Sequence, residues 1–128
     1  VFKSNDKRQL LNSIIHPLVI ESQNTWLAAR ESEDASGIAI VDAALMIESG
    51  GYQRFDKLIV VWCQPVIQLS RLINRDGLSR SEAEDRISAQ MAQDEKKSYA
   101  DYLIDTSNSF EDTSRQVAET FSSLKASQ

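Results

Sequence analysis

The stretch from Arg71 to Met91 concentrates the residues of this chain that are best suited to phosphate chemistry. It contains four of the chain's eight arginines, although the chain as a whole carries a net charge of −5. Arginine suits phosphate because its planar fork of donors stays charged and can contact two oxygens at once. A local group of arginines in an acidic chain therefore favours a local anionic ligand. The alternative is an ordinary amphipathic helix pair with solvated arginines.

The spacing within this stretch places polar side chains on common helix faces. Arg71 and Arg75 are four residues apart, and so are Arg86 and Gln90. Residues at this spacing are neighbours on a helix surface, where two like charges repel unless an anion lies between them. The second pair could close over phosphates as a lid does. Alternatively, Arg86 could pair with Glu82 on a solvated face.

The N-terminal region, residues 1–36, is predicted to contain two helices. Residues 4–6 are candidate caps for the first helix. This helix should stop near His16, because the residue before a proline avoids helical geometry. Pro17 then suits the first turn of a second helix. The polar run at residues 31–37 predicts a loop.

Three short apolar runs predict strands at residues 38–41, 58–62 and 102–104. They are too short for helices, and the first two are rich in β-branched residues. Continuous apolar strands that alternate with helices favour an α/β fold with a parallel sheet and flanking helices. Ligands of such sheets bind beyond the carboxyl ends of the strands.

Four helices are predicted after the second strand: three before the third strand and one after it. The first runs from Pro65 to a C-terminal cap at Gly77. The N-terminal caps predicted for the other three are Ser79 or Ser81, then Asp94, then Ser109. Glu82 or Glu84, and later Asp112, lie three residues after a serine and could complete capping boxes. Residues 71–99 form a predicted helical lid region.

Composition limits the possible function classes. A chain of 128 residues is enough for one domain with a core. The single cysteine, Cys63, forms no internal disulfide and fits a reducing, cytoplasmic compartment. With one histidine, His16, a histidine-based catalytic or metal site has little to draw on. The acidic balance argues against nucleic-acid binding, and the apolar runs are too short to span a membrane.

Four stretches occur in an order that is specific when they are taken together. They are residues 15–19 (IHPLV), residues 41–51 (VDAALMIESGG), residues 55–61 followed by 68–69 and 71–91, and residues 97–105 followed by Ser107. They resemble the dephospho-coenzyme A (dephospho-CoA) kinase family over nearly the whole chain. The resemblance implies a P-loop kinase with a parallel sheet and a helical lid. Members of that family transfer the γ-phosphate of ATP to the 3′-hydroxyl of dephospho-CoA, using magnesium, in the last step of coenzyme A synthesis.

The resemblance also implies roles for particular residues. Arg75 would be the catalytic arginine, because positive charge is needed where negative charge spreads over the transferred phosphoryl group. The ATP and lid residues would be Arg71, Arg86, Gln90, Asp105 and Ser107. The acceptor-binding residues would be His16, Pro17, Asp42 and Glu48. Structural roles are the alternatives: Arg75 could only favour a helix C-terminus, His16 could fix a turn, and Asp105 could cap one. Arg80 is predicted to lie on the surface.

The chain also departs from the family pattern. No G-x-x-x-x-G-K-S/T sequence occurs in it, and it begins at Val1 instead of a methionine. We therefore expect residues 1–128 to be one partial kinase domain without its N-terminal strands, and to be inactive alone. Ala44 stands where the family usually has proline. Thr106 and Asn108 replace its usual asparagine and glycine, which affects the predicted contact with the nucleotide base.

Three other interpretations remain open at this point. The chain could belong to another small-molecule P-loop kinase, such as a nucleoside monophosphate or shikimate kinase. It could be a non-catalytic α/β binding module, which would account for the missing phosphate loop. It could also be a region of a larger fused coenzyme A synthase. Tests with several acceptors and the upstream gene sequence would separate these possibilities.

Overall fold

The computed structural model describes residues 5–127 and divides the chain into two compact units. The first unit is Val1–Asp42 and the second is Ala43–Gln128. The first unit contains helix α1, Asn5–Glu33. The second contains both strands and the other helices. The sequence-based expectation of a single partial domain stays a prediction.

Helix α1 replaces the two helices that were predicted at the N-terminus. It continues through Pro17 to Glu33, so the prediction of a helix end near His16 is wrong. A proline removes one helical hydrogen bond and disfavours helical geometry at the preceding residue, at a cost of about 3 kcal/mol. Favourable helix formers on both sides can offset a cost of this size. Of the predicted caps, Ser4 lies outside the described residues, as do the side chains of residues 5 and 6.

Two of the three predicted strands are confirmed, and they pair in parallel. Strand β1 is Ile59–Trp62 and strand β2 is Tyr102–Asp105. The register aligns Ile59 with Tyr102 and Trp62 with Asp105, so both strands end at the same edge. The prediction of a strand at residues 38–41 is wrong, because no described strand pairs with this segment. A strand needs a hydrogen-bonded neighbour, and Ile40 is 68% exposed.

Four helices follow β1, largely as predicted. They are α2 (Pro65–Asp76), α3 (Arg80–Ser88), α4 (Gln93–Lys97) and α5 (Phe110–Ala126). Gly77 ends α2 with φ of 65°, a left-handed conformation that glycine adopts without strain. Ser79 and Glu82 form the complete capping box of α3. Ser109 caps α5, but Asp94 is not a cap: it lies within the first turn of α4 and pairs with Lys97 at 2.5 Å.

The buried side chains of the small sheet lie on both of its faces. Val60 and Ile104 are buried, whereas Val61 and Leu103 are exposed. Because the register aligns Val60 with Leu103 and Val61 with Ile104, each face of the sheet carries one buried and one exposed side chain of this set. Helix α4 contacts β1, α5 contacts β2, and α2 contacts α3. A short 3₁₀ helix, Gly51–Arg54, precedes β1. Within residues 5–127, no helix has the length and apolar character needed to cross a membrane.

Candidate functional site

A cleft in the second unit is lined by three of the arginines that the sequence singled out. Its volume is about 870 Å³. The lining residues are Cys63, Gln68, Arg71, Leu72, Asn74, Arg75, Arg86, Ile87 and Gln90. Helices α2 and α3 supply most of them, and Cys63 directly follows β1. The cleft thus lies at the carboxyl end of β1, where parallel sheets bind ligands.

Arg75 and Arg86 are joined through one carboxylate, that of Asp76. Arg75 Nε and Nη2 donate to Asp76 Oδ1 and Oδ2 at 2.7 and 3.3 Å, while Arg86 Nη1 donates to Oδ2 at 2.8 Å. The hydrogen bond from Arg75 lowers the pKa of Asp76; burial opposes this effect, and the charges of both arginines and the hydrogen bond from Arg86 add to the lowering. The direct ion pair of Arg86 is thus with Asp76, while the Glu82 carboxylate accepts hydrogen bonds from Ser79. The charge of Arg86 still adds to the lowering of the Glu82 pKa, after the hydrogen bonds from Ser79.

Arg71 ties the cleft to the end of the other strand. Its Nη1 donates to Thr106 Oγ1 at 3.0 Å, and its Nη2 donates to the Thr106 carbonyl at 2.6 Å. Thr106 Oγ1 in turn donates to the Trp62 carbonyl at 3.0 Å. The guanidinium group is thereby fixed at the edge where β1 and β2 both end. Because threonine is uncharged, Arg71 keeps its full positive charge.

The loop after β2 is held by hydrogen bonds that involve both predicted nucleotide-side residues. Ser107 N donates to Asp105 Oδ1 at 2.8 Å, and Ser107 Oγ accepts from Gln64 N at 2.9 Å. The side chain of Gln116 donates to the carbonyl of Asp105 and accepts from its amide, both at 2.8 Å. Asp105 and Ser107 therefore stabilise this loop, which is the structural role given above as the alternative for Asp105. Their roles toward a nucleotide stay predictions.

Two glutamines form hydrogen bonds next to the cleft residue Cys63. Cys63 N donates to Gln93 Oε1 at 3.0 Å, and Gln93 Nε2 donates to Gln68 Oε1 at 2.5 Å. These bonds connect the end of β1 with α2 and α4. The thiol of Cys63 is free and buried.

Glu48 is held by a lysine that the sequence analysis did not single out. Lys96 Nζ lies 2.8 Å from Glu48 Oε1, with only 17% and 22% of the two side chains exposed. Lys96 Nζ also donates to the Ala44 carbonyl at 3.3 Å, and Met91 N donates to Glu48 Oε1 at 3.4 Å. Burial raises the pKa of Glu48, but the hydrogen bonds and the charge of Lys96 outweigh it and lower that pKa. The carboxylate thus connects the turn before β1 with the end of the lid region.

The other three predicted acceptor residues belong to the first unit. His16 is half-buried, while Pro17 and Asp42 are exposed. Their side chains form no hydrogen bond or ion pair with any residue in the described range 5–127. The roles proposed for them from the resemblance stay predictions.

Asp76 and Lys96 are the site residues that the sequence reasoning missed. A signal for Asp76 was present, since an acidic residue at the last position of a helix opposes the helix dipole and calls for a cationic partner. Lys96 gave no comparable signal, because its partner is far away in the sequence. Among residues 5–127, no three His, Cys, Asp or Glu side chains are grouped so that they could hold a metal ion.

Comparisons with known proteins identify relatives of the chain. The family model described as "Dephospho-CoA kinase" matches residues 1–112. A dephospho-CoA kinase of Geobacter metallireducens is 42% identical over 117 residues, which are 91% of this chain and 58% of that protein. A dephospho-CoA kinase domain-containing protein of Danio rerio is 42% identical over 125 residues, 97% of this chain and 54% of that protein.

A solved structure shares the fold. The dephospho-CoA kinase of Campylobacter jejuni superimposes with a TM-score of 0.67 at 25% sequence identity, over 98% of this chain and 62% of that chain. The α/β arrangement with a parallel sheet and flanking helices is therefore that of a P-loop kinase. The chain spans less than two thirds of the length of these relatives.

Proposed function

This chain belongs to the dephospho-CoA kinase family, and from that premise we propose that it takes part in ATP-dependent phosphoryl transfer to the 3′-hydroxyl of dephospho-CoA. This reaction is the last step of coenzyme A biosynthesis. The observation that carries the proposal is the cleft that gathers Arg71, Arg75 and Arg86 at the strand ends. An arginine-lined cleft of this kind suits the phosphates of a nucleotide.

The chemistry assigned to these arginines is electrostatic. Negative charge spreads over the oxygens of the transferred phosphoryl group, and donors that are already in place stabilise it. Arg75 would contact the transferred group, while Arg71 and Arg86 would hold the other phosphates. The side-chain amide of Gln90 adds uncharged donors at the same cleft.

The remaining parts of the proposal concern the acceptor, the metal and the location. His16, Pro17 and Asp42 are proposed contacts to the coenzyme A moiety, whereas the pairing with Lys96 supports a structural role for Glu48. Magnesium would accompany ATP and neutralise charge on its phosphates. We also propose a cytoplasmic location, which the single free cysteine supports.

The test uses the protein expressed from its complete open reading frame. Incubation with ATP and dephospho-CoA should yield coenzyme A, which is measured by chromatography with mass detection. AMP and shikimate should not be phosphorylated under the same conditions. Arg75→Lys keeps the charge but loses the planar fork, so we expect kcat to fall by about 100-fold. Arg80→Lys is the matched control: Arg80 pairs with Glu84 outside the cleft lining and should leave kcat unchanged.

Two results would overturn the proposal. One is phosphorylation of AMP or shikimate in preference to dephospho-CoA, which would point to a different P-loop kinase. The other is equal activity of the Arg75→Lys and Arg80→Lys proteins, which would remove the cleft from the chemistry. The 128-residue chain alone, which contains no G-x-x-x-x-G-K-S/T sequence, is expected to show no phosphotransfer.

A further inference from the structure

Asp76 occupies a position that local helix physics does not favour. It is the last residue of α2, directly before the left-handed Gly77. The C-terminal end of a helix carries a partial negative charge, so an acidic side chain there is destabilising unless it has a cationic partner. Nor does Asp76 act as a cap, since the cap hydrogen bond runs from Gly77 N to the Ile73 carbonyl. Any stabilising role of Asp76 must therefore come from the residues that its carboxylate contacts.

Those partners are two arginines of the cleft that come from different helices. Arg75 belongs to α2 and Arg86 to α3, and the Asp76 carboxylate bonds to both. The acid is the more shielded group: 24% of its side chain is exposed, against 74% for Arg75 and 58% for Arg86. Two guanidinium groups this close would otherwise repel each other. A shared carboxylate removes that repulsion and connects the two helices at the cleft.

The bonds to Asp76 leave the arginines able to bind an anion. Arg75 uses Nε and Nη2 for Asp76, so both N–H groups of Nη1 remain available. Arg86 uses only Nη1, so Nη2 and Nε remain available. The hydrogen bond with Asp76, together with its charge, raises the pKa of Arg75, which keeps this guanidinium group protonated. Both side chains also line the cleft.

We propose that Asp76 is a positioning residue that holds Arg75 and Arg86 side by side, so that one phosphate of the nucleotide meets both at once. This inference rests on the proposed function, because it takes the cleft to be the phosphate site. Positioning matters because a misplacement of about 1 Å in a catalytic group can cost about 100-fold in rate. Asp76 itself is not among the residues that line the cleft.

The experiment compares Asp76→Asn and Asp76→Glu with a matched control in the complete protein. Asp76→Asn removes the charge and one acceptor oxygen, so we expect kcat to fall by about tenfold to 100-fold, with a smaller change in KM for ATP. Asp76→Glu keeps both acceptor oxygens and should recover most of the lost kcat. Glu84→Gln removes the same charge from the exposed pair with Arg80 and should leave kcat unchanged.

The direction of the change separates positioning from simpler roles. If Asp76 only lowered the positive charge of the cleft, Asp76→Asn would bind ATP more tightly and keep or raise kcat. If it only stabilised the fold, Asp76→Asn would lower Tm but leave kcat unchanged well below Tm. Either result would overturn the inference. A loss of kcat that Asp76→Glu restores, at a temperature where all variants are folded, would support it.

A readout that does not depend on activity keeps this test separate from that of the proposed function. Nitrogen-15 NMR of the arginine side chains should give a resolved, slowly exchanging Nε–H signal for Arg75, because this group donates to Asp76 at 2.7 Å. Asp76→Asn should weaken or broaden that signal, and Glu84→Gln should not. An unchanged signal in Asp76→Asn would refute the positioning role. If the signal changes but the wild-type protein does not phosphorylate dephospho-CoA, the proposed function fails while the positioning of the arginines stands.

Discussion

The ion pair between Glu48 and Lys96 is expected to contribute measurably to the stability of the second unit. The two charged atoms are 2.8 Å apart, and about four fifths of each side chain is shielded from water. Exposed pairs contribute about 0.2–1 kcal/mol, whereas breaking a fully buried pair costs about 3–5 kcal/mol. Partial burial and the additional bond from Lys96 to the Ala44 carbonyl place this pair between those limits. We expect a coupling energy of about 1–2 kcal/mol.

A double-mutant cycle measures this coupling free of the separate effects of each substitution. The variants are Glu48→Gln, Lys96→Met and the double substitution, each unfolded in urea. For residues 1–128, a Trp26→Phe background leaves Trp62, which lies in β1, as the fluorescent reporter of the second unit. The control cycle uses the pair of Arg80 and Glu84, which has the same N–O distance of 2.8 Å but is 76% and 52% exposed. That control should give about 0.3–0.5 kcal/mol.

The pH dependence provides an independent check, and its sign follows from linkage. The pKa of Glu48 is lowered from its ordinary value of 4.5 in the folded protein. A carboxylate with a depressed pKa contributes stability above its unfolded pKa and loses that contribution as pH falls through its folded pKa. The difference in unfolding free energy between wild type and Glu48→Gln should therefore be full at pH 7 and shrink below about pH 4.5. A difference that does not change with pH, or a coupling no larger than that of the control, would refute the reasoning.

Two further predictions concern the elements that carry the cleft arginines. Ser79→Ala removes the capping box of α3 and should lower the free energy of unfolding in urea by about 1 kcal/mol. Ser81→Ala removes no cap and should leave that free energy nearly unchanged. Equal effects of the two substitutions would argue against the cap. Arg71→Lys cannot make both bonds to Thr106, so stability should fall by about 1 kcal/mol and KM for ATP should rise. An unchanged KM in the Arg71→Lys protein would exclude Arg71 from ATP binding.

The elements that the sequence predicted well are those specified by neighbouring residues. Pro65 at the start of α2, Gly77 at its end, and the box formed by Ser79 and Glu82 all act within a few positions of one another. Such local signals have one dominant structural meaning. For the same reason, the spacing of Arg71 and Arg75 correctly indicated a shared helix face, and both residues line the cleft.

The predictions that failed depended on what lies far away in the sequence. Residues 38–41 have the composition of a strand, but a strand forms only where another strand can accept its hydrogen bonds. Pro17 biases the chain against a continuous helix without forbidding one, and the residues around it decided the outcome. The partner of Glu48 could not be inferred, because nothing in the local sequence links it to Lys96. Non-local pairing of this kind becomes visible only when the fold is known.

The cleft shows why a count of arginines is an incomplete guide to an anion site. Arg71, Arg75 and Arg86 are the charged residues of its lining, and the one carboxylate that bonds directly to them, that of Asp76, is shared by Arg75 and Arg86. Arg71 keeps its charge because its partner, Thr106, is neutral. Of the arginines between Arg71 and Arg86, only Arg80 lies outside the lining, where Glu84 neutralises it. The chain can therefore be acidic as a whole and still attract phosphate at one place, because its carboxylates are distributed so that this cleft retains an excess of positive charge.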